Sequence, residues 1–87
     1  MTTKTQTRGY SYKIVKQIQG ADPANPAVRL GQLCVAKDIS VAEIAEALGV
    51  SRQAVYMWFI GLYRPREEHL QKINHLLTVY SQDAAAS

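Results

Sequence analysis

The stretch from Ile39 to Pro65, ISVAEIAEALGVSRQAVYMWFIGLYRP, leaves this chain few ways to fold. Apolar residues repeat with helical spacing twice within it. Val41, Ile44, Ala45 and Leu48 fall at i, i+3, i+4 and i+7, and Val55, Trp58, Phe59 and Leu62 repeat those offsets. Gly49 follows the first run, and glycine adopts the left-handed conformation that ends a helix abruptly without a Cβ penalty. Ser51 offers a hydroxyl to the free N–H groups that open the second helix. A turn this short fixes the angle between the two helices, and small Ala45 lets the second cross close over the first.

The flanks read as further helices. Asn25 caps a helix over 26–37, with Pro26 in its first turn, Leu30, Leu33 and Cys34 inward, and Arg29 and Lys37 outward. Beyond Pro65, Glu67 and Glu68 complement the positive end of a helix whose buried stripe is Leu70, Ile73, Leu77 and Tyr80, widened by Leu76 and Val79. Tyr10–Gln19 is ambiguous: Tyr10, Tyr12 and Ile14 alternate as in a strand, whereas Ile14, Val15 and Ile18 fit a helix capped by Ser11 and stopped by Gly20. The helix is favoured, because no partner strand is evident. Residues 1–9 are expected to form a flexible basic arm, 10–80 one domain around a central motif at 40–61, and 81–87 a flexible tail. The fold class is all-α, with four to five short helices.

Composition excludes more than it assigns. One cysteine makes neither an internal disulfide nor a cysteine-based zinc site, and Cys34 reads as a small core residue of a cytoplasmic protein. His69 and His75 lie six apart on one helix and do not share a face as a metal pair would. No nucleophile has an adjacent base, and no glycine-rich phosphate loop is present, so neither an enzyme nor a cofactor is expected. The N-terminus lacks an apolar signal run, and no apolar stretch approaches a membrane span. The net charge of +3 says little, but its distribution is uneven. Lys4, Arg8, Lys13, Lys16 and Arg29 face Asp22 alone in residues 1–29, and Arg52, Arg64 and Arg66 meet no acid in residues 51–66. That clustering suits a polyanionic partner.

The residues EIAEALGVSRQAVYMW, followed by Gly61 and Pro65, resemble the lambda-repressor-like, or Cro/XRE, helix-turn-helix domains. The resemblance is close over Ile39–Pro65 and looser over Pro26–Leu77. It implies double-stranded DNA as the partner and a small bacterial or bacteriophage transcriptional regulator, in the nucleoid or the infected host's cytoplasm. Two departures stand out. Val41 occupies the place where the family has Gln or Thr to help hold a phosphate, and Phe59 and Ile60 replace an acid and a polar residue after the Trp position. The string VYMWF is also similar to homeodomain recognition helices, but Gly61 stands where those domains carry the Asn that reads adenine.

Stepping about 100° per residue from Val55 leaves Gln53, Met57 and Ile60 on the far side of the second helix, expected over 51–61, flanked by Arg52 and Tyr56. The N-terminal end of such a helix reaches base edges. Arg52 and Gln53 are therefore the first candidates for base reading, on guanine and adenine respectively, with Tyr56 and Met57 behind them. Ser51, Arg64, Arg66, Lys4 and Arg8 are the candidates for phosphate contacts. Useful affinity from so small a module calls for a homodimer on half-sites about 34 Å apart, or for help from a partner protein. The competing expectation is a protein partner, for instance host transcription machinery, bound through Tyr56, Met57, Ile60 and Tyr63. A small-molecule substrate is not expected.

Overall fold

A computed structural model describes residues 10–86, with side chains as far as residue 82. Among the described residues five helices follow in order: α1 (Tyr12–Gln19), α2 (Pro26–Lys37), α3 (Val41–Leu48), α4 (Arg52–Phe59) and α5 (Glu67–Ala86). Helix α2 is the central element and packs against α1, α4 and α5, while α3 packs against α4 and α5. None of these helices is long and apolar enough to cross a membrane.

Helices α1 to α4 have 8 to 12 residues, and their ends are strongly specified. Four begin on a side-chain oxygen that accepts an otherwise orphaned backbone N–H: Ser11 from Ile14, Asn25 from Ala27, Ser40 from Glu43 and Ser51 from Ala54, at 3.0–3.2 Å. Three end on a left-handed residue: Asp38 (φ 61°), Gly49 (φ 72°) and Gly61 (φ 81°). In each case the next residue's N–H reaches back across the last turn, Ile39 to Cys34 O, Val50 to Ala45 O and Leu62 to Met57 O, at 2.9–3.0 Å. This is the Schellman arrangement, which satisfies carbonyls that the helix leaves open.

The core draws on every helix and on Tyr10, which precedes them. Tyr10, Ile18, Leu30, Cys34, Val41, Ile44, Leu48, Val55, Phe59 and Ile73 are essentially inaccessible, and Leu77 and Trp58 nearly so. Trp58 also meets the His69 ring, with centroids 5.2 Å apart and planes tilted by 41°. Tyr10 is the largest fully buried side chain, and its phenol donates to Ile39 O at 2.8 Å. Burial, and then the nearby Cys34, push its ionisation far above the ordinary tyrosine range. Burial likewise pushes the Cys34 thiol up to about 12, so Cys34 packs as a neutral side chain.

The structure revises several expectations. The segment 10–19 is helical from Tyr12, which resolves the strand-or-helix ambiguity. The second motif helix spans Arg52–Phe59, not 51–61, because Gly61 turns the chain away. Leu62, expected on the buried stripe, is consequently 59% exposed. Val79 also lies largely outside the core, and Leu33 is only partly buried. Helix α5 runs on to Ala86, into the stretch expected to be a tail. Ala84, Ala85 and Ala86 are the strongest helix formers, which accounts for the continuation. The proposed arm, with Lys4 and Arg8, lies outside the described residues.

Candidate nucleic-acid interface

Helices α3 and α4 form the motif anticipated from the sequence, and its geometry follows from the turn at Gly49–Ser51. Val55, Trp58 and Phe59 commit one side of α4 to the core. The first turn is left outside. Arg52 and Gln53 are both exposed there, and neither makes a hydrogen bond or ion pair among the described residues. Ser51 is exposed beside them. Its hydroxyl oxygen accepts the Ala54 N–H at 3.1 Å, which leaves the hydroxyl proton free to be donated outward.

The remaining sequence candidates occupy different situations. Tyr56 is half-buried and packs against the core, and Met57 is half-buried one residue on. These two lie on the flank of α4, behind the exposed pair Arg52 and Gln53. Arg64 and Arg66 are exposed on either side of buried Pro65. Arg64 lines a shallow cavity of about 320 Å³ with Asp22, Asn25, Val28 and Ile60, between the end of α4 and the start of α2. Asn25 caps α2, so Arg64 lies beside the positive end of that helix. Arg66 immediately precedes α5, and its carbonyl accepts the Leu70 N–H at 2.9 Å.

Two departures from the family pattern acquire a physical meaning. Val41, where a phosphate-holding polar residue was missed, is completely buried and opens α3 as a core residue. Phe59 is also a core residue and does not make the end of α4 sticky. Its ring lies against the backbone of Gly31 in the middle of α2: a Cβ at Gly31 would sit 2.6 Å from Phe59 Cγ and 2.9 Å from Phe59 Cβ. The apolar surface lies further on, where Leu62 and Tyr63 are 59% and 61% exposed. Leu62 was missed as a surface residue because counting in helical steps runs past the point where α4 stops.

Sequence reasoning also missed the role of Tyr10 in holding this face. Its bond to Ile39 ties the head of α1 to the residue before the α3 cap, and the Tyr56 phenol on α4 is close enough to disfavour its ionisation further. The available signal was its position. An apolar residue just before a capping serine, with another at the fourth helical position, here Val15, is the hydrophobic-staple pattern.

The geometry is that of a helix-turn-helix unit whose second helix keeps its first turn, with Arg52 and Gln53, exposed. A helix-turn-helix family model matches residues 30–83, more than half of the chain. The chain belongs to the lambda-repressor-like, Cro/C1-type helix-turn-helix family, and it is a DNA-binding helix-turn-helix protein. That family is one of DNA-binding regulatory domains, not of enzymes. No curated protein and no solved structure matches the chain significantly.

Proposed function

We propose that the protein is a sequence-specific transcriptional regulator of bacterial or bacteriophage type that reads the DNA major groove with the first turn of α4. The observation that carries this is the exposure of Arg52 and Gln53, unengaged, on a helix whose opposite side is locked into the core. Arg52 fits guanine O6 and N7 as a bidentate donor, and Gln53 fits adenine N6 and N7. Tyr56 and Met57 contribute contacts at the flank. Ser51, Arg64, Arg66 and the arm residues Lys4 and Arg8 hold phosphates, which position the helix but carry no sequence information. An eight-residue helix reads few base pairs. Two copies on inverted half-sites about 34 Å apart supply the remaining affinity.

Selection of bound duplexes from a random pool tests this directly. An enriched motif in two inverted copies is the expected result, and no enrichment at any salt concentration would overturn it. On the selected site, Arg52→Ala is expected to cost about 1–3 kcal/mol and to relax base choice at one position. Arg66→Ala is expected to weaken all sequences alike and to lower the salt slope by about 1. Unchanged base preference in Arg52→Ala would remove Arg52 from the reading face.

A second reading is favoured by one observation, the adjacent exposed side chains Leu62 and Tyr63. With Tyr56, Met57 and Ile60 they offer a protein partner an apolar and aromatic surface of the kind enriched in interface centres. Salt separates the two readings. Duplex binding weakens steeply as counterions are released, and an apolar contact barely responds.

A further inference from the structure

Helix α1 precedes the region matched by the family model, and no part of the proposed groove contact uses it. Its inner side is apolar: Ile18 is buried, and Ile14 and Val15 pack partly buried against the core. Stepping about 100° per residue puts Tyr12, Lys13, Lys16 and Gln19 together on the opposite side. All four are exposed, and the whole helix carries no acid. Neither lysine forms an ion pair among the described residues. The Lys16 ammonium instead lies 5.4 Å from the centre of the Tyr12 ring, where a cation–π contact steadies the charge without neutralising it.

The placement of this face matters as much as its charge. Tyr10, at the head of α1, is bonded to Ile39 O, one residue before the Ser40 cap of α3, and is close to Tyr56 of α4. The head of α1 therefore shares one end of the domain with the start of α3 and with the flank of the reading helix. In docked helix-turn-helix units the first motif helix crosses the DNA backbone. Two acids lie near this end. Asp38, at the α2–α3 junction, is itself engaged within the protein. Glu43, in the first turn of α3, is exposed, and its charge adds to burial in disfavouring the ionisation of Cys34 and Tyr80.

We propose that α1 is a second phosphate-binding platform, with Lys13 and Lys16 gripping the backbone of the duplex whose groove α4 reads. This rests on the DNA-binding reading above and deepens it. The contacts lengthen the footprint of each copy and add affinity, but add no base discrimination, because phosphates carry no sequence information.

The test is the salt dependence of duplex binding by the full chain, comparing the parent protein, the double variant Lys13→Gln/Lys16→Gln and the control Lys72→Gln. Lys72 is an exposed cation on α5, remote from the head of α1 in sequence. Glutamine keeps helix propensity, and circular dichroism confirms that each variant folds. Loss of two phosphate contacts is expected to lower the slope of log affinity against log salt by about 1.8. Between about 50 and about 200 mM salt, the parent's advantage over the double variant should then shrink roughly 12-fold. The preferred base sequence should be unchanged, and Lys72→Gln should match the parent. If the parent binds duplex steeply and the double variant has the same slope, the platform is refuted while the reading by α4 stands. If the double variant alters base preference, α1 is not a backbone platform. If the parent binds no duplex, both proposals fall together.

Discussion

Replacing Tyr10 with alanine is expected to cost about 3–5 kcal/mol, the range for removing a buried aromatic side chain. For a domain of this length, total stability is roughly 4–13 kcal/mol, so this single change brings a sizeable fraction of molecules close to unfolding. The reason is its position. Tyr10 is fully buried, adjoins Cys34 on α2 and bonds to Ile39 at the start of α3. Tyr10→Phe separates the two contributions. It keeps the ring, loses the hydrogen bond and leaves the Ile39 carbonyl without that donor, at an expected cost of about 1–2 kcal/mol. Urea unfolding followed by circular dichroism measures both. A loss under about 1 kcal/mol for Tyr10→Ala would mean that the head of α1 is not part of the cooperative core.

The second large effect is expected at Gly31, and its sign runs against intuition. At an ordinary helix interior, Gly→Ala is stabilising by up to about 1 kcal/mol. Here the new methyl meets Phe59 at Cγ and Cβ, atoms near the α4 backbone that no rotation of a flexible tip can clear. Helices α2 and α4 must separate, and we expect a net destabilisation of about 1–3 kcal/mol, as for other overpacked cores. The double variant Gly31→Ala/Phe59→Ala identifies the cause. If the clash is responsible, Gly31→Ala becomes neutral or favourable once Phe59 is truncated. An equal cost in both backgrounds would place the strain elsewhere.

What could be read from the sequence was mostly what repeats locally. Ser40 and Ser51 announce the two motif helices, and Ile39–Ile44 and Val50–Val55 bracket them with apolar residues five apart. Tyr10, Ser11 and Val15 carry the same signature. It was obscured by the alternation of Tyr10, Tyr12 and Ile14, which mimics a strand over so short a window. Arg52 and Gln53 were legible as exposed because they lie off the stripe that Val55, Trp58 and Phe59 devote to the core. Tyr56 and Met57 were not settled by that argument, because a flank residue is buried or exposed according to its neighbours from other helices. Three features were beyond local reading. Asp38 ends α2 in a left-handed conformation that a non-glycine residue takes only occasionally. Leu62 continues a periodic pattern after the helix has ended. Gly31 looks like a weak point in a helix until the Phe59 ring is placed against it.

The fit of Phe59 against Gly31 has a consequence at the opposite end of α4. A smooth apolar helix packed on another can roll or slide by a fraction of a turn at small cost. A ring seated where its neighbour has no side chain cannot, because every other position brings it against bulk. Phe59 thus works as an index pin near the C-terminal end of an eight-residue rod, and Arg52 and Gln53 are the pointers at the other. In the proposed complex, the angle at which those two side chains would approach a base pair is set by a contact that lies inside the protein core.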